Sequence, residues 1–295
     1  MLMVCMINIE PANKRGGGPA FGWPRSFLNN RFVYLVVSQR AKGLSIGINM
    51  NPDKRCNFKC VYCEVNQAEP ARDAAVDLPT MEAELLEMLR MVRENKIREL
   101  PGFSHLPPDL LELKEVALSG DGEPTLSPQF AEIIGRIIAL RARGLPLFFK
   151  VVLITNTTGL PLPEVREGLR QLASWDEIWV KLDAGSQRYM SEVNGPDLKL
   201  GSVMANILTV ARERPVVIQS LFPLIHGVEP PEDEIEHYVH RLQELKAAGA
   251  QIALVQIYSA HRPPHQPDCG HLPLAILSRI ARRVRAATGL KAEVF

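Results

Sequence analysis

The sequence predicts an α/β fold in which helices cover a parallel sheet. Apolar segments of strand length alternate with amphipathic segments of helix length, and such alternation is typical of repeated strand–helix units. Six strand–helix pairs follow one another, with strands centred near residues 46, 116, 151, 179, 218 and 254. Six units are too few for a complete eight-fold barrel.

The length and composition of the chain limit its class. Its 295 residues are 46% hydrophobic and 23% charged, which fits one barrel-like α/β domain or two small domains. The formal net charge of +1 gives no overall basic field of the kind that favours nucleic acid. Because no apolar run is long enough to span a bilayer and the apolar start lacks a basic segment, we expect neither a membrane partner nor a signal peptide. Five cysteines, three of them clustered, do not resemble a disulfide framework and favour a reducing cytoplasm.

The N-terminal part of the chain is predicted to lead into the first strand–helix unit. Residues 1–43 are expected to form a lead-in that packs on the α/β domain, residues 44–295. Within the lead-in, residues 32–37 are apolar and β-branched enough for a strand, or for a segment that caps one end of a barrel. Residues 44–50 alternate apolar with small or polar side chains, which predicts a strand that enters a cysteine-containing loop.

Helices and strands then alternate to the end of the chain. The first helix is predicted over 81–95, with Thr80 as its N-cap because a threonine hydroxyl can accept a hydrogen bond from a free backbone N–H. Glycine and proline mark the limits of several later helices. The remaining predicted strands are 113–118, 147–154, 177–182, 216–222 and 251–257. The remaining predicted helices are 127–143, 162–173, 203–212, 232–247 and 274–287, followed by a short tail, 292–295.

The first loop contains the densest group of potential metal ligands. Cys56, Cys60 and Cys63 have the spacing C-x3-C-x2-C, with Tyr62 just before the last cysteine. Thiolates this close in sequence can turn toward one centre, and three of them on a [4Fe–4S] cluster leave one iron open to a small molecule. An open metal position is typical of chemistry rather than of scaffolding. The alternatives are three incidental thiols or a partial zinc knuckle, which would need a fourth ligand nearby.

Functional side chains of such a barrel are expected at the carboxyl ends of its strands. The second strand of the series ends at Gly120, Asp121, Gly122 and Glu123. Glycine lets the backbone approach a ligand closely, and Glu123 supplies a carboxylate. The alternative is a simple tight turn, which glycine and aspartate also favour.

The later strand ends supply further polar candidates. Asn156 follows the third strand, where it either faces a ligand or caps a turn. Lys181 and Asp183 are two residues apart at the end of the fourth strand and therefore share one face. They are either ligand contacts or an ion pair that fills the barrel, and a buried ion pair is costly unless it binds something. The last two strands and the loop beyond offer side chains that line a substrate or adenine pocket, or that merely fill the barrel: Gln219, Ser220, Gln256, Tyr258 and Arg262.

A histidine-rich loop near the C terminus contains a second group of possible metal ligands. Its residue types suit a metal site. Their spacing matches no zinc motif, however, and histidine and proline are also common in exposed loops. The group consists of His261, His265, Cys269 and His271.

The C-x3-C-x2-C spacing resembles the cluster motif of the radical S-adenosylmethionine (radical SAM) enzymes. The resemblance implies a [4Fe–4S] cluster ligated by Cys56, Cys60 and Cys63, with its open iron chelated by the methionine moiety of SAM. In this family the reduced cluster cleaves SAM to a 5′-deoxyadenosyl radical, which takes a hydrogen atom from the substrate. The resemblance also implies a partial (β/α)6 TIM-like barrel, in agreement with the six units counted above.

The resemblance extends to the cofactor contacts. The segment from Gly120 to Glu123 is similar to the family's glycine–glycine–glutamate motif, which binds the amino group of SAM, with aspartate as a variant at its second position. Asn156, Lys181 and Asp183 are expected to hold the rest of SAM, although activating enzymes of the family have the acid and the lysine in the opposite order. Tyr62 is expected to contact the cofactor from the cysteine loop.

Over most of its length the chain is similar to a bacterial group of radical SAM proteins without an assigned reaction, which in turn resembles the core of the tRNA wyosine-base synthases. Those synthases use a second cluster held by another set of cysteines, whereas only Cys5 and Cys269 remain here. That difference counts against wyosine synthesis itself. The segments that carry the similarity are 30–34, 40–45, 56–63, 119–125, 179–184 and 255–258.

We therefore predict a radical SAM enzyme whose substrate is a modified nucleoside in RNA, a peptide or a small metabolite. Such an enzyme requires an electron donor such as flavodoxin or ferredoxin. Two other hypotheses stay open. One is an activase that installs a radical on a partner protein, and the other is a non-catalytic protein that binds zinc or an iron–sulfur cluster.

Overall fold

The strands and helices follow the predicted alternation. The structure is a computed structural model that describes residues 27–143, 147–195, 199–260 and 268–295. The interpretations of Cys5, His261, Arg262, His265 and the rest of residues 1–26 lie outside the described residues.

The described strands are β1 (Val33–Ser38), β2 (Gly43–Asn49), β3 (Leu113–Ser119), β4 (Lys150–Thr155), β5 (Glu177–Lys181), β6 (Val216–Leu221), β7 (Pro223–Ile225), β8 (Ile252–Tyr258), β9 (Cys269–His271) and β10 (Ala292–Val294). The described α-helices are α1 (Leu78–Arg93), α2 (Phe130–Ala142), α3 (Pro163–Arg170), α4 (Gln187–Asn194), α5 (Leu200–Glu213), α6 (Glu232–Ala247) and α7 (Leu274–Thr288).

One sheet of eight strands organises the chain, in the order β1-β2-β3-β4-β5-β6-β8-β10. β1 runs antiparallel to β2, and every other neighbouring pair in this sheet is parallel. β7 and β9 form a separate antiparallel pair. The predicted α/β fold is confirmed, with β1 added at one edge and β10 at the other.

The sheet curls until its two edges nearly meet. Lys42 Nζ, in the turn after β1, lies 3.9 Å from Glu293 Oε2 in β10. In a flat sheet of this size the two edge strands would lie roughly 34 Å apart, because neighbouring strands are about 4.8 Å apart. The sheet is therefore an incomplete barrel. We call the line where β1 approaches β10 the seam, and in the described residues no backbone pairing closes it.

The two faces of the curled sheet differ in polarity. The outer face packs against the helices and is continuously apolar, as in Ile46, Val116 and Leu153, which are fully buried. The inner face alternates with it and carries many polar side chains, since Ser45, Glu115 and Lys150 are neighbours in register across β2, β3 and β4. Its small apolar part consists of Val152, Trp179 and Val217, with Ile154 and Leu254 packed against them. The main core thus lies between sheet and helices, and the interior of the barrel is largely polar.

The start of α1 corrects one prediction. The helix begins at Leu78, and Asp77 is its N-cap, accepting hydrogen bonds from the backbone N–H and the hydroxyl of Thr80. The prediction of Thr80 as N-cap was therefore wrong. Pro79 lies within the first turn, where a missing N–H is harmless, and this allows the helix to begin earlier than the apolar pattern indicated.

Four of the elements named above were absent from the sequence prediction: α4, β7, β9 and β10. Helix α4 has eight residues, a length too short for apolar periodicity to stand out, although its N-cap Ser186 and its left-handed C-cap Gly195 are recognisable signals. Strand β10, predicted as part of a tail, pairs in parallel with β8. None of the described helices combines the length and the apolar character needed to cross a membrane.

Candidate functional site

The cysteine loop lies at the carboxyl end of β2 and is fastened to α4. Cys56 is exposed, Cys60 and Cys63 are half-buried, and all three are free thiols. The backbone N–H groups of Lys59 and Val61 donate to the last carbonyls of α4, at N–O distances of 2.7 and 2.8 Å. These bonds satisfy carbonyls that a helix end leaves free, and they fix the loop that contains the thiols.

Asn194, the last residue of α4, links the thiols to the end of β5. Its side-chain Nδ2 donates to Cys60 Sγ at 3.3 Å, to the Tyr62 hydroxyl at 3.2 Å and to Asp183 Oδ2 at 3.0 Å. The sequence analysis missed this residue because it missed α4. An asparagine directly before a helix-ending glycine was the available signal.

Lys181 and Asp183 lie on one side of the site, as their spacing predicted. Lys181 Nζ is 3.6 Å from Asp183 Oδ2 and donates to the Tyr258 hydroxyl at 3.3 Å. The Asp183 carboxylate also accepts the hydroxyl of Tyr62, and its Oδ1 accepts the backbone N–H of Leu221 at 2.9 Å. This ion pair is therefore part of a hydrogen-bonded network that reaches the cysteine loop.

The network shifts the proton affinity of its members. Burial is the largest influence on Lys181 and opposes its charge, but the Asp183 carboxylate, Tyr258 and Cys60 together outweigh burial and raise the lysine pKa. Burial and the same carboxylate raise the pKa of Tyr62. Burial also raises the pKa of the Cys60 thiol to about 12. A ligand that needs the Cys60 thiolate must consequently displace a firmly held proton.

The glycine-rich loop after β3 packs directly against the cysteine loop. A Cβ at position 122 would stand 2.1 Å from the carbonyl oxygen of Arg55, so only glycine fits there. Gly120 has φ of +131°, and a Cβ there would stand 2.2 Å from Asn49 Oδ1. Asn49 in turn donates to the Asp121 carboxylate at 2.7 Å. The two loops therefore form one unit whose backbones are in contact.

The Glu123 carboxylate joins the ends of β3 and β4. Its Oε1 accepts the Thr125 N–H at 3.1 Å, the Thr125 hydroxyl at 2.5 Å and the Thr155 hydroxyl at 2.5 Å. Its Oε2 accepts the Asn156 N–H at 2.7 Å. Burial raises the pKa of Glu123, and these hydrogen bonds oppose the rise. Because Oε2 accepts only one hydrogen bond, it can accept a further one from a ligand.

Asn156 also reaches the cysteine loop. Its Nδ2 donates to Asn57 Oδ1 at 2.9 Å, and Asn57 directly follows the first cysteine of the triad. Nearby, the side-chain oxygen of Asn51 is buried and has no hydrogen-bond partner among the described residues. Asn51 also lies against Gly122. The sequence analysis named Asn156 but neither of the other two asparagines, whose roles depend on contacts between distant loops.

The proposed metal ligands are less closely grouped than a single ion requires. Among the described residues, no three His, Cys, Asp or Glu side chains are positioned to hold one metal ion. A cubane cluster is larger than an ion, so its thiolates stand further apart. For the second predicted metal group, Cys269 is buried in β9 and His271 is exposed at its end, while its other two members lie outside the described residues.

The sequence comparisons give relatives that are less than 30% identical to this chain. No protein-family model matches the chain. A UPF0026 protein of Helicobacter pylori strain J99 is 24% identical over 239 residues, which cover 80% of this chain and 70% of the relative. A UPF0026 protein of Synechocystis is 29% identical over 185 residues, which cover 61% of this chain and 60% of the relative.

Two solved structures decide the fold. SuiB of Streptococcus suis, bound to S-adenosylmethionine, matches with a TM-score of 0.57 at 17% identity, covering 83% of this chain and 49% of SuiB. TYW1 with a lysine-pyruvate adduct bound also gives 0.57, at 14% identity, covering 88% of this chain and 85% of TYW1. The barrel has the radical SAM fold. The predicted resemblance to radical SAM proteins and wyosine synthases is thereby confirmed for the fold, and the chain spans about half the length of SuiB.

The radical SAM fold explains why the candidate residues meet. In a parallel barrel the carboxyl ends of all strands face one rim. The cysteine loop follows β2, the glycine-rich loop follows β3, Asn156 follows β4, and Asp183 follows β5. Residues more than a hundred positions apart in sequence therefore touch at this rim.

Proposed function

We propose that this chain is a radical SAM enzyme, with Cys56, Cys60 and Cys63 as ligands of a [4Fe–4S] cluster. The observation that carries the proposal is the construction of the cysteine loop. Three free thiols lie on one loop that is fixed on one side by Gly122 and on the other by Asn194. A loop held from both sides keeps its ligands ready for the cluster.

The residues around the thiols fit such a cluster. The triad supplies three thiolates, which leaves one iron for a small ligand. Asn194 already donates an N–H to Cys60 Sγ, and hydrogen bonds to ligating sulfurs set the reduction potential of iron–sulfur clusters. When bound, the cluster would supply the electron for cleavage of SAM into methionine and a 5′-deoxyadenosyl radical.

The chain's own part is to bind and orient the cofactor. Gly120 and Gly122 allow close backbone approach at the rim, and Asn156 lies between the glycine-rich loop and the triad. The remaining Oε2 capacity of Glu123 suits the amino group of SAM. Lys181, held charged by Asp183, suits a carboxylate or a ribose hydroxyl. Tyr62 and Asp121 complete the proposed cofactor-binding set.

The test is anaerobic reconstitution with iron and sulfide. The electron paramagnetic resonance spectrum of the reduced protein is recorded with and without SAM, and 5′-deoxyadenosine is assayed. We expect a [4Fe–4S]⁺ signal that changes with SAM, together with release of 5′-deoxyadenosine. Cys60→Ala should abolish both, whereas Cys269→Ala, which removes a cysteine outside the loop, should preserve both. Turnover in the Cys60→Ala variant would contradict the ligand assignment.

A second candidate is a non-catalytic zinc or iron–sulfur protein. It is favoured by one observation: the carboxylates of Glu123 and Asp183 already have several hydrogen-bond partners within the chain. This candidate expects stoichiometric zinc or an inert cluster and no effect of SAM. The same spectra and assay therefore separate the two functions.

The partners and the substrate of the proposed enzyme follow from its chemistry. Reductive cleavage needs a one-electron donor, for which we propose a flavodoxin or a ferredoxin in a reducing cytoplasm. A modified nucleoside in RNA is the substrate that the resemblance to wyosine synthases favours. An activase acting on a partner protein is the alternative, and it predicts a stable complex with that partner.

A further inference from the structure

The interior of the barrel below the rim contains polar groups that the proposed cofactor site does not use. We call them the lumen cluster: Arg40, Glu115, Lys150, Glu177 and Gln219. The strand register places all but Arg40 on the inner face, and Arg40 comes from the turn after β1, beside the seam. Burial raises the pKa of Glu115, and the charges of Lys150 and Arg40 oppose the rise, so these groups share one space.

Arg40 is held by aromatic faces rather than by acids. Its guanidinium carbon lies 4.7 Å from the centroid of the Tyr258 ring and 5.9 Å from that of Trp179. No carboxylate among the described residues lies within ion-pair distance of it. A guanidinium has five N–H donors in a planar fork, and stacking on a ring face leaves those donors available.

The two lysines of the same face differ from Arg40. Lys150 Nζ lies 2.6 Å from Glu177 Oε1, and Lys181 Nζ lies 3.6 Å from Asp183 Oδ2. Each lysine thus has a carboxylate partner among the described residues. Arg40 therefore stands out as a cation whose charge is not balanced by direct contact.

Two buried acceptors in the same interior also lack partners. Gln219 Oε1 and Glu115 Oε2 have no hydrogen bond among the described residues, although Gln219 is 0% and Glu115 is 1% exposed. Gln219 Nε2 is engaged, since it donates to Gln256 Oε1 at 3.0 Å. Buried acceptors are normally satisfied, so an unpaired one on an inner face indicates a donor supplied by another molecule.

We infer that the lumen binds a small ligand with one anionic group, a carboxylate or a phosphate, on Arg40 and with N–H or O–H donors toward Gln219 and Glu115. Tyr258 connects this position to the rim, because it contacts Arg40 through its ring and Lys181 through its hydroxyl. Identifying the ligand as the substrate rests on the proposed function, whereas the binding site itself does not.

The charge balance favours a small ligand with a single anionic group over a polynucleotide. Lys150 is paired with Glu177, and the charge of Glu115 offsets that of Arg40, so the interior has no excess of positive charge. A polynucleotide would bring one negative charge for each phosphate, whereas the lumen cluster offers one guanidinium, that of Arg40, to an anionic group. RNA is therefore an outcome of the test and not the proposed ligand.

The test is calorimetric titration of the purified protein, without SAM, with sodium malonate, with sodium phosphate and with a short RNA oligonucleotide at constant ionic strength. We expect saturable binding of at least one anion, and the anion that binds identifies the group as carboxylate or phosphate. Arg40→Gln should weaken binding roughly tenfold or more, since hydrogen bonds to charged groups are lost. Arg40→Lys keeps the positive charge but not the planar set of five donors. Its anion affinity should lie between those of the parent and of Arg40→Gln.

The matched control is Lys42→Gln, which removes an exposed cation two positions away in the same turn. Its affinity should stay within about twofold of the parent, as expected for a screened surface charge. Equal weakening by Arg40→Gln and Lys42→Gln, no saturable binding of either anion, or binding of RNA alone would overturn the lumen site. Anion binding through Arg40 without 5′-deoxyadenosine release would keep the lumen site and refute the proposed function. Release of 5′-deoxyadenosine without anion binding through Arg40 would refute the lumen site and leave the proposed function in place.

Discussion

The rim of the barrel and the lumen below it differ in how far their polar side chains are hydrogen-bonded within the chain. At the rim, the carboxylates of Glu123 and Asp183 accept several hydrogen bonds from the chain, although Glu123 Oε2 accepts only one. In the lumen, Gln219 Oε1 and Glu115 Oε2 have no hydrogen-bond partner among the described residues, and Arg40 contacts ring faces rather than acids. Satisfied groups hold their geometry with or without a ligand, whereas unsatisfied ones gain most when a ligand arrives. The rim is therefore held mainly by hydrogen bonds within the chain, whereas the lumen leaves more of its polar groups open to a ligand.

The largest expected effect is at the rim. Gly122→Ala places a Cβ 2.1 Å from the Arg55 carbonyl oxygen, which is backbone and cannot rotate away. We expect a loss of about 3 kcal/mol in the free energy of unfolding, as in overpacked sites, and poor iron incorporation. Urea denaturation and iron analysis measure the two effects.

Gly201→Ala is the matched control for that substitution. Gly201 lies in α5, and nothing stands within 4 Å of a Cβ at this position. Alanine should be neutral there or slightly stabilising, because it reduces the entropy of the unfolded chain. Equal losses in the two variants would show that the contact between the loops does not hold the rim together.

Asn194→Ala should have the next largest effect. It removes the donor shared by Cys60, Tyr62 and Asp183, which should cost about 2 kcal/mol of unfolding free energy. In the cluster-loaded protein, loss of an N–H bond to a ligating sulfur should also lower the reduction potential. Asn206→Ala is the comparison, because its amide donates only to the Thr157 carbonyl in the described residues. An unchanged potential in Asn194→Ala would remove this residue from the cluster environment.

The lumen should respond to pH through Glu115. Burial raises its pKa above the ordinary value of 4.5, so the folded protein binds more protons than the unfolded chain just above that pH. Stability of the parent relative to Glu115→Gln should therefore fall as pH rises from 4.5 and level off once the folded pKa is passed. Urea denaturation of both proteins across this range measures the difference. A difference that does not vary with pH would mean that the carboxylate is not held in a low-dielectric interior.

The smallest expected effect is on Arg40. Arg40→Gln should change the unfolding free energy by about 1 kcal/mol or less, because only contacts to ring faces are lost. Arg141→Gln should cost about 3 kcal/mol, since Arg141 binds the buried Asp176 carboxylate at 2.6 Å. Thermal or urea unfolding compares the two. A loss at Arg40 as large as that at Arg141 would make Arg40 a structural residue.

Residues fixed by local rules could be predicted from the sequence. Period-two alternation put Lys181 and Asp183 on one face, and the glycine spacing indicated where the backbone is closely approached. These rules concern a residue and its near neighbours in sequence. They succeed at strand ends, because the topology of a parallel barrel brings strand ends together without further information.

Residues that depend on the curl of the sheet could not be predicted. Arg40 reaches the lumen only because the turn after β1 swings beside β10, which is a property of the whole sheet. Asn194 depends on a short polar helix, and two of the four donors to Glu123 come from Thr155 and Asn156, some thirty positions away. Residues that are distant in sequence decide whether an ionised side chain finds hydrogen-bond partners within the chain.

The seam is the weakest join in the wall of the barrel among the described residues. Separating any two paired strands would break a ladder of backbone hydrogen bonds, whereas parting β1 from β10 disturbs side-chain contacts such as the exposed pair of Lys42 and Glu293. An exposed ion pair contributes about 1 kcal/mol or less and is weakened by salt. Within the described residues, the seam is therefore the line along which the wall of the barrel is least firmly joined. Arg40 lies in the turn beside that line, so a change in the width of the seam would also move the guanidinium proposed to bind an anion.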